Sequence, residues 1–288
     1  MGLKLVVVCP ANAVTGGPEA MHQLVHTANR VRRGSAAILY WPFLHQTTPT
    51  AYQHYVCPKV LRDQVPEDAL VVFPEIWPEM AMTFKNRCAL WWLSVDNFGS
   101  HGQRDMRNIS MHLTQSEYAY DHVSRSGFGN PHMLTDWVSV AEVEVDRLPM
   151  VAVNPAKDAG LLQPFKKLGL FNVVELRGMD SLQVAKTLRS SAIYVDFGKH
   201  PGRDRLPREA ALAGCTVFSS YHGSARYWQD MPLPNWYKFD TVSELNDKIV
   251  EVLGRTIPSA SQLAYRKWVE GNRTMFEREV ESLLSVVE

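Results

Sequence analysis

Residues 3–32 read LKLVVVCPANAVTGGPEAMHQLVHTANRVR, an apolar run followed by a glycine-rich turn and an amphipathic segment. Lys4 alone interrupts the run 3–9, which is typical of a buried strand in a parallel sheet. Apolar residues then recur at helical spacing, and Pro18 and Glu19 suit the first turn of a helix that ends before Gly34. The stretch therefore predicts a strand, a turn and a helix, which is the start of a βαβ unit.

The same alternation continues along the chain and then restarts. Further strands are predicted in the first half at 36–41, 69–73, 88–95 and 109–114, with a helix at 116–126. The second half predicts strands at 150–153, 173–176, 192–197 and 215–219, with helices at 159–168, 181–190 and 206–213. Strands separated by helices indicate mostly parallel sheets. The predicted fold class is α/β, with two doubly wound Rossmann-like domains that face a cleft.

The domain boundary is predicted near residue 145, because the segment 141–149 contains three acids and ends in proline. The predicted domains are 1–145 and 146–288. The segment from Ser243 onward is predicted to be helical, with Ser243 as the N-cap of its first helix. The last helix is expected to pack back on the N-terminal domain.

Composition excludes several classes of protein. The chain has 288 residues, 45% of them hydrophobic, and 30 Lys and Arg balance 30 Asp and Glu. Zero net charge disfavours binding of a long nucleic acid, and the four Cys form no CxxC pair. Cys9, Cys88 and Cys215 are expected to be buried reduced thiols. No apolar run approaches the roughly 18 residues of a membrane span. We expect a soluble, cytoplasmic protein, with peripheral contact to a membrane left open.

Ligands of doubly wound folds bind where strands turn into helices. In the first such turn, Gly16 and Gly17 allow close approach of the backbone, and the helix that follows offers N–H groups to an anion. The turn matches neither GxGxxG nor a Walker loop. A simple tight turn into a helix is the alternative interpretation.

A second turn follows the apolar strand that ends at Val95. Asp96 comes directly after it, where a carboxylate is well placed to bind hydroxyls or accept a proton. His101 is a rival base in the same turn. The alternative is a turn-forming Asp-Asn pair without chemistry.

The third turn, in the segment DFGKHPGRDRLPREAALAGC at 196–215, is the most informative. Four cations and one acid lie between Lys199 and Arg208, directly before a predicted helix. Guanidinium groups, glycine backbone and a helix N-terminus together predict a site for phosphates. Lys157, after the first strand of the second half, is placed to reach the same phosphates. The alternatives are a solvated basic loop and a surface lysine.

The segment 202–215 resembles the donor-site segment of GT-B glycosyltransferases of the family-4 type, found in surface-polysaccharide gene clusters. The resemblance implies that Glu209 binds the ribose of a nucleotide sugar and that Lys157, in Asn-Pro-Ala-Lys, binds the donor diphosphate. It also implies that the turn TGGPE at 15–19 faces the acceptor and the sugar phosphates. The implied donor-binding residues are Gly16, Gly17, Lys157, Gly202, Arg203, Arg205, Arg208 and Glu209, and the implied catalytic residues are Asp96 and His101.

Two departures limit the resemblance. Family-4 enzymes often carry a Glu eight residues before the ribose-binding Glu, and here that position is Pro201. The stereochemical outcome is therefore not carried over. No Asp-x-Asp motif occurs in the chain, so the cations must replace a metal, and neither a metal nor a cofactor is expected.

The sequence thus predicts a metal-independent glycosyltransferase that takes a nucleotide-sugar donor and a saccharide or lipid-linked glycan acceptor. One alternative is a glycosyltransferase that acts on modified DNA bases. Another is a non-catalytic module that binds a nucleotide sugar, an alternative kept open by the missing first Glu.

Overall fold

The computed structural model describes residues 2–42, 47–158, 160–254 and 259–287. The chain divides into two compact units, Met1–Trp137 with Arg273–Glu288, and Val138–Asn272. The boundary predicted near residue 145 lies inside the second of these units. Among the described residues, no helix combines the length and the apolar character needed to cross a bilayer.

The first unit contains a six-stranded parallel sheet. Its strands are β1 (Leu5–Pro10), β2 (Ala36–Trp41), β3 (Leu70–Pro74), β4 (Cys88–Trp92), β5 (Ile109–Thr114) and β6 (His132–Met133), in the order β2-β1-β3-β4-β5-β6. Its helices include α1 (Gly16–Val31) and α2 (Glu117–Arg125). The central strands are apolar throughout because both faces of the sheet are covered.

The second unit contains a five-stranded parallel sheet. Its strands are β7 (Leu148–Val153), β8 (Asn172–Glu175), β9 (Ser191–Asp196), β10 (Thr216–Ser220) and β11 (Lys238–Phe239), in the order β11-β10-β9-β7-β8. Its helices are α3 (Leu162–Lys167), α4 (Ser181–Ser190), α5 (Arg205–Ala213), α6 (Val242–Leu253) and α7 (Ala260–Glu270). The predicted start of α3, Ala159, lies outside the described residues. Two parallel sheets with helices confirm the predicted α/β class.

The last helix, α8 (Asn272–Val286), contributes to the core of the first unit. Phe276, Val280 and Leu284 are buried there with residues of β1 and α1. Thr135 donates two hydrogen bonds to Glu279, each 2.7 Å long, from its amide and its hydroxyl. These contacts fix α8 to the first unit although it follows the second in sequence.

A buried histidine links α1 to β2 in the same core. The carbonyl oxygen of Pro18 lies 2.6 Å from His22 Nδ1, so Nδ1 donates to it. Nε2 lies 2.8 Å from the Tyr40 hydroxyl oxygen. Burial lowers the pKa of His22, which favours the neutral ring.

The predicted cap of α6 was wrong by two residues. Thr241, not Ser243, is the N-cap, and its hydroxyl accepts a hydrogen bond from the Glu244 amide at 3.3 Å. The Glu244 side chain in turn accepts from the Asp240 amide at 3.4 Å. Thr at the cap and Glu three residues later is the spacing of a capping box, which favours Thr241 over Ser243.

The cysteines follow the prediction. All four are free thiols, and Cys9, Cys88 and Cys215 are buried. Burial raises the pKa of Cys215 to about 12 and that of Cys88 to about 11. These thiols are therefore protonated and behave as small apolar side chains.

Candidate functional site

In the second sheet, the connections diverge between β7 and β9. From β7 the chain continues to β8 on one side, and from β9 it continues to β10 on the other. Ligands of open α/β sheets bind at the carboxyl ends of the strands at such a point. The segment 154–157 follows β7, and the β9–α5 loop, residues 197–204, follows β9. The predicted donor-binding residues of this unit lie on these segments or in α5: Lys157, Gly202, Arg203, Arg205, Arg208 and Glu209.

Lys157 and Asp204 join the two segments through an ion pair. The Asn154 side chain caps the short 3-10 turn Pro155–Lys157, which presents the lysine. Its ammonium donates to Asp204 Oδ1, and the lysine side chain is 44% exposed whereas that of Asp204 is 8% exposed. Burial by itself raises the pKa of Asp204, but the contact with His200 and the charge of Lys157 outweigh it and lower this pKa to about 2. Asp204 is therefore an ionised partner for a partly exposed lysine.

His200 is buried next to this ion pair and was not predicted as a site residue. Its Nδ1 lies 3.0 Å from Asp204 Oδ2. Its Nε2 lies 2.9 Å from Ser219 Oγ and 3.6 Å from Asp196 Oδ1. Burial lowers the pKa of His200, but the charges of Asp196 and Asp204 reverse this and raise it above its ordinary value. The available signal in the sequence was the spacing of four residues between Asp196, His200 and Asp204.

Asp196, His200 and Asp204 bring three ligand-type atoms within 4.8 Å of one another, a grouping that is compatible with a metal ion. However, the two ring nitrogens of His200 face different carboxylates, and Lys157 already contacts Asp204. Asp204 is thus faced by Lys157 and His200, and Asp196 is faced by His200. We interpret the group as a buried ion-pair network beneath the β9–α5 loop.

Arg203 and Arg208, both predicted to bind the donor, have buried side chains. Arg203 stacks over the Trp268 ring at 4.8 Å and donates to Asn272 Oδ1 at 3.0 Å. Arg208 donates to the carbonyl oxygens of Arg203 at 2.9 Å and of Asp204 at 3.2 Å. Each is occupied with the protein itself, so we expect these two guanidinium groups to shape the loop rather than to contact a ligand.

The start of α5 is arranged differently from an ordinary acidic cap. Asp204 is at the N-cap position, yet within the described part of the chain its side chain accepts no hydrogen bond from the first turn. Its carboxylate contacts Lys157 and His200 instead. Amide groups at a helix N-terminus attract anions when no side chain caps them. Arg205 and Glu209 pair on the same helix, with Nε 3.3 Å from Oε1.

In the first sheet, the connections diverge between β1 and β3. The helix α1 begins at Gly16, directly after Thr15, whose carbonyl oxygen accepts a hydrogen bond from the Tyr52 hydroxyl at 2.8 Å. A Cβ atom at Gly17 would lie 3.7 Å from the Leu93 side chain, an ordinary contact. Packing against Leu93 therefore does not require glycine at this position. The close approach of a ligand to the Gly17 backbone stays a prediction.

Asp96 and His101 lie on the turn that follows β4, and both are exposed. Asp96 belongs to a short 3-10 turn, and its charge raises the pKa of His122 against the larger lowering effect of burial. His101 Nδ1 lies 2.9 Å from the Ser100 hydroxyl, and its ring meets Trp77 edge-on at 6.2 Å. The structure thus places both predicted catalytic residues at the carboxyl edge of the first sheet.

Glu75 is a candidate that was not predicted. It follows the last residue of β3, and its carboxylate accepts a hydrogen bond from the Leu93 amide at 3.1 Å. Its backbone carbonyl accepts from the Gly99 amide at 2.9 Å, so it contacts both ends of the turn that carries Asp96. Burial raises the pKa of Glu75 to about 7, a value that suits an acid or a base at neutral pH. The signal was the one that identified Asp96, a carboxylate directly after an apolar strand.

Comparison with known proteins bears on the fold. No protein-family model matches the chain, and no curated protein matches its sequence. A glycosyltransferase from Rickettsia africae ESF-5 is similar in structure, with a TM-score of 0.67 and 12% identity over 99% of this chain and 98% of that one. The lipopolysaccharide outer core galactosyltransferase WaaB, in its apo form, is similar with a TM-score of 0.65 and 12% identity over 99% of both chains. T4 phage BGT in complex with its UDP-glucose substrate is similar with a TM-score of 0.59 and 9% identity over 99% of this chain and 100% of that one.

Identities of this size indicate a shared fold. The similarity extends over nearly the whole chain and agrees with the two parallel sheets described above. The chain therefore has the fold of the GT-B glycosyltransferases.

Proposed function

We propose that the chain is a glycosyltransferase that moves a sugar from a nucleotide-sugar donor to a saccharide or lipid-linked glycan acceptor. The observation that carries the proposal is the arrangement at the carboxyl ends of β7 and β9. There, a partly exposed lysine and a helix N-terminus without a side-chain cap lie on neighbouring segments. Similar structures in complex with UDP and with UDP-glucose support a nucleotide-sugar donor.

In the proposed reaction, the bond between the anomeric carbon and the donor diphosphate breaks, and the acceptor oxygen forms the new bond. Charge that develops on the diphosphate needs stabilisation by groups fixed in advance. Lys157, Arg205 and the amides at the start of α5 supply it in this proposal, and Glu209 binds the ribose. Gly202, as predicted, contributes its backbone to the donor site, and Arg203 and Arg208 support the loop that carries these groups.

The acceptor hydroxyl must lose a proton as the new bond forms. Asp96 and His101, both exposed at the edge of the first sheet, are the proposed bases. Glu75 is buried beside the Asp96 turn, and we assign it to support of that turn. We expect Asp96→Asn to lower kcat far more than it changes donor affinity, and the opposite pattern would remove Asp96 from this role.

Metal independence is part of the proposal, since the cationic groups above take the place of a metal. Transfer is expected to proceed unchanged in EDTA. Restoration of activity by Mg²⁺ or Mn²⁺ after EDTA treatment would instead assign a cation to the site, with Asp196, His200 and Asp204 as the first ligands to test.

A lipid-linked acceptor lies at a membrane surface, so the proposal includes peripheral contact with a membrane on its cytoplasmic side. Sedimentation with vesicles that contain anionic lipid tests this contact. A chain that stays in the supernatant at low salt would restrict the acceptor to soluble saccharides.

The experiment that tests the donor site is a thermal-shift screen with nucleoside diphosphates and nucleotide sugars, because ligand binding to the folded chain raises the melting temperature. We expect stabilisation of the wild type and a clearly smaller shift in Lys157→Ala, which retains weaker binding. Lys186→Ala, which removes an exposed lysine on α4, is the matched control. Stabilisation that is undiminished in Lys157→Ala would show that the donor binds elsewhere.

Two alternatives remain testable. Similarity to a T4 phage protein with UDP-glucose is compatible with transfer to modified DNA bases, in which case duplex DNA should bind with a steep salt dependence. A non-catalytic module would be stabilised by a nucleotide sugar, yet it would neither hydrolyse the sugar nor transfer it to any acceptor.

A further inference from the structure

Lys157 is connected to the β9–α5 loop by a chain of polar side chains. We propose that Asp204 and His200 are positioning residues, which hold the Lys157 ammonium where it meets the diphosphate of the donor. The inference rests on the proposed function, because it concerns how the same site orients its donor.

Asp204 is oriented toward its two partners rather than toward its own helix. One carboxylate oxygen contacts the Lys157 ammonium, and the other lies 3.0 Å from His200 Nδ1. Its side chain thereby leaves the first turn of α5 uncapped among the described contacts. A single carboxylate thus contacts the lysine instead of capping its own helix.

His200 is itself fixed from several sides. Its backbone has a φ of 49°, and a Cβ atom at Gly223 would collide with its carbonyl oxygen. The Ser219 hydroxyl lies 2.9 Å from Nε2. Asp196, which faces the same nitrogen, accepts hydrogen bonds from the Tyr194 hydroxyl at 2.9 Å and from the Gly198 amide at 2.8 Å. The orientation of Asp204 therefore derives from β9 and β10 through His200.

A lysine benefits from such support because its side chain is long and flexible, and fixing it in advance lowers the entropy cost of binding. The positioning role also predicts the direction in which diphosphate affinity changes when Asp204 is substituted. A carboxylate near an anion site repels the anion, so removal of its charge alone would tighten diphosphate binding. Removal of a positioning contact would weaken it.

The test measures the Kd of UDP by titration calorimetry with the full chain. Asp204→Asn keeps the size of the side chain and is expected to weaken UDP binding about tenfold, the scale of one charge-assisted hydrogen bond. In a Lys157→Ala background the same change is expected to cause no further weakening, because the lysine on which Asp204 acts is absent.

A second variant, His200→Asn, tests the positioning role even if Asp204→Asn fails to fold. Asn tolerates the left-handed backbone of residue 200 better than most residues, so His200→Asn removes the imidazole with little backbone strain. It is expected to weaken UDP binding only when Lys157 is present. Lys186→Ala is expected to bind UDP like the wild type, and circular dichroism verifies that each variant is folded.

The outcomes separate the two levels of the proposal. Equal or tighter UDP binding by Asp204→Asn and by His200→Asn would overturn the positioning role and leave the proposed function standing. Equal weakening with and without Lys157 would also overturn it, since this result indicates a general structural effect. A wild-type chain that binds none of UDP, GDP and dTDP would overturn the proposed function together with the inference.

Discussion

Glu75→Gln is expected to stabilise the protein at alkaline pH and to have little effect at acidic pH. Burial raises the pKa of Glu75 from 4.5 to about 7 in the folded chain. Between these values the folded chain keeps a proton that the unfolded chain has lost, so the free energy of unfolding falls as the pH rises through this window. The rise in pKa corresponds to a loss of about 3 kcal/mol in the free energy of unfolding once the pH is above neutral. A neutral amide of the same shape avoids that loss, because its oxygen still accepts the hydrogen bond from Leu93.

Urea unfolding of wild type and variant at pH 5, 6, 7 and 8 measures this difference. Tryptophan fluorescence reports mainly on the first unit, which contains five of the eight Trp. Glu67→Gln is the matched control, since Glu67 is exposed in the same unit, and it should follow the wild type at every pH. A difference between Glu75→Gln and wild type that stays constant from pH 5 to pH 8 would show that Glu75 does not titrate near neutrality.

Three further predictions concern stability and are checked by urea unfolding. Thr241→Ala should lower the free energy of unfolding by about 1 kcal/mol as a lost helix cap, and Ser243→Ala by less, whereas the reverse order would contradict the assigned cap. Arg208→Ala should cost about 3 kcal/mol, and Arg208→Lys should not restore it, because an ammonium cannot reproduce the guanidinium fork. An Arg208→Lys variant as stable as the wild type would show that the guanidinium geometry is not needed at this position. His22→Ala should cost about 3 kcal/mol through a cavity and two lost hydrogen bonds, and a loss below about 1 kcal/mol would show that the network contributes little.

The strands were predictable because buried parallel strands are continuous apolar runs. The prediction for β5 coincides with the observed strand, and those for β1 and β3 differ from it by one or two residues. The two-residue strands β6 and β11 carry no periodic pattern and depend on pairing with a neighbour, so no local signal identified them.

The sequence predicts which charged residues belong to the candidate site, but it does not predict which partners their side chains contact. The sequence shows that Arg203 is cationic, yet its burial depends on Asn272, which is 69 residues away. Lys157 likewise meets Asp204 across 47 residues, a contact that depends on the order of β7 and β9. Charge can be read from local sequence, whereas the partner that neutralises it is set by the tertiary fold.

Gly223 illustrates how a scan of mutational tolerance would describe this protein. Its backbone has a φ of 51°, and any side chain there would collide with the carbonyl oxygens of Lys199 and His200. Selection for activity should therefore reject nearly every substitution at residue 223, as it would at a residue that binds substrate. In a tolerance map, this position would look like a contact residue of the donor, although its constraint is steric and is imposed by the neighbouring loop.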